Sequence, residues 1–159
     1  GVHREIGIGD RRNLAALLDL YRPRAGIRLH RLVRGVDARR LQDCGGLPKP
    51  FVARLSSTFE RAAALAEAVA RSSDSETQAR RAATALYHAT SAILMAWEGS
   101  RPGADARRVL LSRMVLDHRL AVRDPLALED AAWELEATAL LLRDAPVSLD
   151  QASALVTAA

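Results

Sequence analysis

The sequence has little cysteine and few aromatic residues. Cys44 is the only cysteine among 159 residues, so the chain can form neither an internal disulfide nor a multi-cysteine metal site. A single cysteine fits a reducing, cytoplasmic setting. Aromatic residues make up 4% of the chain, and β-branched and aromatic residues never alternate over a useful length. This pattern excludes a protein built mainly from β-strands.

Long apolar runs are also missing. No run approaches the roughly 20 residues that a membrane-spanning helix needs. The first residues, "GVHREIGIGDRRN", contain no apolar core of a signal peptide. We therefore expect a protein without a membrane span. His3, His30, His88 and His118 show no zinc-ligand spacing, so no metal site is predicted.

Lysine is nearly absent, and the positive charge is unevenly spread. Lys49 is the only lysine, so 22 of the 23 basic residues are arginine. Residues 1–54 carry a net charge of +7, whereas residues 55–159 carry −3. Such a basic segment is a candidate surface for phosphate groups, nucleic acid or an acidic protein, and Arg28 and Arg31 are its candidate phosphate ligands. The alternative is that these arginines lie on solvated helix faces.

Helical periodicity dominates the chain. Apolar residues recur every three or four positions over residues 50–71, 76–98, 105–120 and 126–143, with short polar turns between. This pattern predicts an all-α fold, an antiparallel up-down bundle of about four long helices, followed by a short tail helix capped by Ser148. The predicted inward positions of the last long helix include Leu135, Leu140 and Leu142.

A basic helical segment precedes the bundle. Asp10 is a candidate N-cap for a first helix, and Gly45 and Gly46 are expected to stop a second one. The stiff linker "LPKP" then leads into the bundle. The sequence thus predicts a helical segment over residues 1–46 and a bundle over residues 47–159, together forming one compact domain.

The helix predicted over residues 76–98 carries polar side chains among apolar ones. A helix that is apolar on most sides is covered by several neighbours, so we expect it at the centre of the bundle. Its polar residues have two interpretations. In the first, Tyr87 and Ser91, four residues apart, converge on a ligand pocket. In the second, they satisfy their hydrogen bonds within a packed core.

The pocket interpretation assigns roles to three more residues of this helix. His88 and Trp97 would complete the lining beside Tyr87 and Ser91. Glu98, near the helix end, would act as a general base if partly desolvated.

Residues 51–119 resemble the C-terminal helical domain of acyl-CoA dehydrogenases, including the DNA-alkylation-response flavoproteins. The resemblance lies in three segments, "FERAAALAEAVA", "AATALYHATSAILMAWEG" and "RMVLDHRL", the last similar to an arginine–aspartate segment of that family. It covers somewhat under half of the chain. It implies a helical bundle that supports FAD or an acyl-CoA at a subunit interface.

Two short motifs extend this resemblance. Gln42, Gly45 and Gly46 are similar to the flavin-binding Gln-x-x-Gly-Gly motif, and Glu98-Gly99-Ser100 is similar to the catalytic Glu-Gly-Thr/Ser motif. By resemblance, the first group contacts the cofactor and Glu98 is catalytic. Both motifs stand earlier in this chain than in the family. We therefore expect a fragment, or a partner subunit that lacks the catalytic half.

Three functions remain open from the sequence. The first is an acyl-CoA dehydrogenase-like domain or subunit, which if enzymatic is part of a flavin-dependent oxidoreductase with a nucleotide-type ligand. The second is a non-catalytic interaction module that forms a homo-oligomer or docks on a partner subunit through an apolar stripe. The third, least favoured because no helix-turn-helix is evident, is nucleic-acid binding by the arginines of residues 1–54.

Overall fold

The computed structural model describes residues 35, 37–71, 77–122, 126 and 132–157. Helices and turns account for the secondary structure of these residues, and no strand occurs among them. The all-α prediction is thereby confirmed for the described part of the chain. The predicted first helix at Asp10 and the candidate phosphate ligands Arg28 and Arg31 lie outside the described residues.

Two long helices and three short ones have bounds within the described residues. The long ones are α1, Lys49–Arg71, and α2, Ala79–Gly99. The short ones are α3, Arg107–Val115, α4, Ala132–Leu141, and α5, Leu149–Thr157. Residues 37–42 are also helical. In the described ranges, no helix has the combination of length and apolarity that crossing a membrane requires.

The third predicted helix changes its geometry before it ends. α3 continues into a π-helical turn, Leu116–Leu120. Just after this turn, the Ala121 amide donates a hydrogen bond to the Leu116 carbonyl. The wider turn closes i to i+5 hydrogen bonds instead of the usual i to i+4. A spacing of three and four residues in the sequence predicts a continuous α-helix here and gives no signal of this change.

Helix α2 packs on both α1 and α3, and α3 packs in turn on α4 and α5. Close approach is possible because the residues of α2 that face its neighbours are small. Ala89, Ala92 and Ala96 are buried, and Ser112 of α3 donates a hydrogen bond of 2.7 Å to the Ala92 carbonyl. At Gly99, an added Cβ would lie 2.9 Å from the Val109 backbone nitrogen, so the last turn of α2 has no room for a side chain.

The core is built from one stripe of each helix. Phe51, Leu55 and Phe59 of α1 are buried, as their four-residue spacing predicts. They pack in one cluster with buried residues of the other helices, including Ile93, Leu110, Leu116, Ala137 and Leu155.

The predicted inward face of α4 needs a correction. Leu135 and Leu142 are 72% and 79% exposed, whereas Ala137 is fully buried and Leu140 is partly buried. The helix "AWELEATALL" carries apolar residues on every side, so its periodicity does not select a face. The small Ala137 faces the core because it permits close packing there.

Side-chain hydrogen bonds fix the starts of α5 and α3. Ser148 and Gln151 form a reciprocal capping box, with the Gln151 amide donating to Ser148 Oγ and the Ser148 amide donating to Gln151 Oε1. The predicted Ser148 cap is thus confirmed. Asp105 Oδ1 accepts hydrogen bonds of 3.1 Å from the backbone nitrogens of both Arg107 and Val147, which ties the start of α3 to the segment before α5.

Candidate anion-binding groove

A basic groove lies between α1 and α2, next to the π-helical turn. Its volume is about 680 Å³. We call it the basic groove because its lining includes four arginines and one histidine: Arg61, Arg80, Arg81, Arg119 and His88. Three threonine hydroxyls, of Thr58, Thr77 and Thr84, lie among them.

Helical spacing explains how these residues share one groove. Arg80, Thr84 and His88 follow one another at intervals of four along α2, which places them on one side of that helix. Thr58 and Arg61, three residues apart, lie on the facing side of α1. Both rows lie beside the buried core stripes, at the edge where the two helices meet solvent.

The charged residues among the described lining of the groove are all basic. No carboxylate occurs among its described lining residues, and its four arginines form no ion pair with any residue that the structure describes. By contrast, Arg54, Arg107, Arg108 and Arg113 each meet a carboxylate. Cations held together without counter-charges raise the local concentration of anions.

A partly buried carboxylate–arginine network holds the π-helical turn. Asp117 pairs with Arg54 of α1, and its Oδ2 lies 3.3 Å from Arg113 Nε. Arg113 is buried, lies 3.8 Å from the centre of the Trp133 ring and donates to the Leu155 carbonyl. We name Arg54, Asp117 and Arg113 the clamp, since they join the turn to α1, α3, α4 and α5.

The clamp determines where Arg119 lies. Beside Asp117, His118 Nε2 lies 3.0 Å from Glu134 Oε1 of α4. Two consecutive side chains of the turn are therefore held by neighbouring helices. Arg119, the next residue, lines the basic groove. The turn thus brings a cation from a third element to a groove formed by α1 and α2.

Of the residues predicted to line a pocket, only His88 lines the basic groove. Tyr87 is 67% exposed, and its ring meets that of His88 edge to face, with centroids 5.2 Å apart. Ser91 is half-buried. Tyr87 and Ser91 share one side of α2, but they are not among the residues that line this groove.

Trp97 and Glu98 lie near the C-terminal end of α2. At 1.5 Å per residue, Glu98 is about 15 Å along the helix from His88, and Trp97 is one residue closer. The guanidinium carbons of Arg40 and Arg101 lie 5.4 Å and 5.0 Å from the centre of the Trp97 ring, which are cation–π contacts. The Glu98 carboxylate pairs with Arg108. The structure therefore does not bring these two residues together with His88.

The motif that resembles a flavin site lines a second, more apolar groove of about 570 Å³. Gln42 and Gly45 lie in it, with apolar neighbours that include Leu41, Leu47, Val52 and Phe59. Gly46 packs against α5 instead, because an added Cβ there would lie 2.9 Å from Leu149 Cδ2. The two grooves flank different sides of α1.

Two buried polar groups near this second groove carry perturbed pKa values. Burial raises the pKa of Asp37, against the opposing effects of a 3.1 Å hydrogen bond from Thr90 and of Arg40, whose Nη1 lies 3.6 Å away. Burial also raises the pKa of the Cys44 thiol, which donates to the Arg40 carbonyl. A protonated, buried thiol is a poor nucleophile.

Sequence reasoning missed the basic groove and Asp37. Arg61, Arg80 and Arg119 are far apart in the chain, and only the tertiary packing shows that they share a groove. The described residues contain no group of three or more His, Cys, Asp or Glu side chains that could hold a metal ion. Comparison with models of protein families, with curated proteins and with solved structures found no match to this chain.

Proposed function

We propose that the protein is a helical binding module whose basic groove takes a phosphate-bearing anionic ligand. The observation that carries the proposal is that four arginines, none of them in an ion pair with a described residue, line one groove of about 680 Å³ together with a histidine and three threonines. Guanidinium groups bind phosphate through paired hydrogen bonds, and hydroxyls donate to the remaining oxygens. A groove of this size is in the range of small-molecule sites.

Electrostatic repulsion strengthens this assignment. Four guanidinium groups around one groove repel one another, and this repulsion opposes folding unless an anion is present. Chains commonly relieve such repulsion with carboxylates, as this one does at Arg54, Arg107, Arg108 and Arg113. A bound phosphate group would supply the negative charge that the described lining residues of the basic groove lack.

FAD and coenzyme A, the ligands implied by the resemblance to acyl-CoA dehydrogenases, are members of this ligand class. Their phosphate groups suit the basic groove. The apolar groove at Gln42 and Gly45 suits a ring system or an acyl chain. Because the two grooves flank different sides of α1, we propose that such a ligand binds by its phosphates and leaves the apolar groove to another group or subunit.

The test is calorimetric titration of the whole chain with inorganic phosphate, ADP, FAD and coenzyme A at low and high salt. We expect saturable binding that weakens as salt rises, because phosphate contacts release counterions. Arg61→Gln and Arg119→Gln should each weaken binding by about tenfold to a hundredfold, the value of one charge-assisted hydrogen bond.

The matched control is Arg143→Gln, which removes the same charge from an exposed position outside the groove. Affinity should change by less than about twofold in this variant, since a distant exposed charge contributes little. Equal weakening in all three variants would show a general charge effect. That result, or the absence of binding to every probe, would refute the proposal.

A self-association module is the second candidate. Leu135 of α4 and Leu142, the residue directly after the end of α4, are seven positions apart and largely exposed, and Thr138 and Ala139 between them are exposed as well. A seven-residue spacing is the repeat by which two copies of a helix can pair. Sedimentation velocity should show a dimer that Leu135→Glu converts to a monomer; a monomer at every concentration would exclude this function.

A further inference from the structure

We infer that the basic groove selects its ligand by several phosphate groups held in close succession, and not by a base, a flavin ring or an acyl chain. The ligand class is a small molecule with an oligophosphate group. This inference rests on the proposed function, because it specifies the ligand of the same groove.

The number and origin of the cations support a multi-phosphate ligand. Arg61 comes from α1, Arg80 and Arg81 from α2, and Arg119 from the π-helical turn, so the cations border the groove from three elements. One phosphate group offers oxygens for one or two guanidinium forks. Four arginines around one groove therefore require the oxygens of several phosphate groups, as a chain of phosphates provides.

The remaining lining argues against recognition of a ring or an acyl chain. The apolar part consists of the small or aliphatic side chains Ala62, Leu65, Ala85 and Leu120. No aromatic ring occurs among the described lining residues. Phe59 and Tyr87 each adjoin a lining residue in sequence, but Phe59 is buried in the core and Tyr87 is exposed. Bases and flavins are commonly held by stacking on aromatic rings.

The surrounding charge argues against a long polyanion. Residues 55–159, which include every lining residue of the groove, carry a net charge of −3. A nucleic acid that contacts this part of the chain beyond the groove is repelled on balance by that net charge, which would weaken its binding. A short oligophosphate stays within the basic groove and avoids that repulsion.

The experiment compares five probes by calorimetry on the whole chain: inorganic phosphate, AMP, ATP, tripolyphosphate and a short DNA duplex. We expect ATP and tripolyphosphate to bind with affinities within about threefold of each other. Both should bind roughly a hundredfold more tightly than AMP or phosphate, since each added phosphate contributes about tenfold through charge-assisted bonds.

Variants show whether the cations act together. Arg80→Gln and Arg119→Gln should each weaken tripolyphosphate binding by about tenfold or more and change phosphate binding much less, because a single phosphate can move to the other arginines. Arg143→Gln should leave both affinities unchanged. Circular dichroism on each variant checks that the helices persist.

The outcomes separate this inference from the proposed function. If AMP binds as tightly as ATP, or ATP binds more than about tenfold tighter than tripolyphosphate, the base is recognised and the inference is wrong, while the proposed function stands. If the duplex binds more tightly than tripolyphosphate, the inference is likewise wrong and a nucleic acid is the ligand. If no probe binds, both fail.

Discussion

Replacing Asp117 by asparagine tests whether the clamp holds the π-helical turn. Asparagine has nearly the same shape, but it carries no charge and retains one of the two acceptor oxygens. One of the two arginines then loses a charge-assisted hydrogen bond, which is worth about 1.5–3 kcal/mol. Arg113 has only 7% of its side chain exposed, so water does not replace the lost partner there.

The exposure of the other members of the clamp reduces this estimate. Asp117 is 20% exposed and Arg54 is 39% exposed, so part of the Arg54 pairing is screened by solvent. We therefore expect Asp117→Asn to lower the free energy of unfolding by about 2 kcal/mol. Glu98→Gln is the matched control, because the pair of Glu98 with Arg108 is more exposed at 40% and 58%; we expect a loss below about 1 kcal/mol there.

Urea denaturation followed by circular dichroism measures both variants, with the slope of the transition checked for constancy. A second readout is affinity for tripolyphosphate, which should fall in Asp117→Asn because Arg119 is no longer held in place. If Asp117→Asn is as stable as the original protein to within about 0.5 kcal/mol, or if Glu98→Gln loses as much, the clamp does not act as described.

Three further predictions concern buried and capping groups. Because the folded-state pKa of Asp37 is raised, its contribution to stability is fully present below its unfolded-state pKa and is lost as pH rises through the folded-state value. Asp37→Asn, whose amide oxygen can still accept a hydrogen bond from Thr90, should therefore gain stability relative to the original protein as pH rises above the unfolded-state pKa, measured in thermal melts at a series of pH values; a stability difference that does not change with pH would contradict this. The pKa of Asp105 is lowered, chiefly by the Arg107 backbone amide, so its contribution is present above the unfolded-state pKa and lost as pH falls. Asp105→Asn should thus destabilise the protein at neutral pH and have a smaller effect in acid, measured in the same melts; a larger effect in acid would refute this reasoning. Gly99→Ala should cost about 1–3 kcal/mol in urea denaturation, because the added Cβ meets the Val109 backbone, and an unchanged midpoint would show that α3 can shift.

Local features of the fold were accessible from the sequence because they depend on neighbouring residues. The start of α1 follows from "LPKP", and its buried face follows from the four-residue spacing of Phe51, Leu55 and Phe59. The capping box of α5 follows from Ser148 and a glutamine three residues later. In each case the interaction that fixes the structure lies within one or two helical turns.

The face of α2 that borders the basic groove was harder to predict for a physical reason. The pocket interpretation placed Tyr87, His88 and Ser91 at a ligand, but of these three residues only His88 lines the basic groove, together with Thr84. The two stripes are adjacent on the helix, and the pattern of apolar residues does not distinguish them. Only the positions of α1 and the π-helical turn decide which stripe borders the groove. The same limit applies to Leu135 of α4.

The clamp has a thermodynamic consequence for the whole molecule. Arg113 joins the carboxylate of Asp117 to the Leu155 carbonyl, so the turn that carries Arg119 and the docking of α5 share one side chain. Two processes that depend on a common element are linked, and each changes the equilibrium of the other by the same free energy. If the basic groove binds an anion as proposed, we expect its occupancy and the docking of α5 on the core to stabilise each other, because both depend on Arg113.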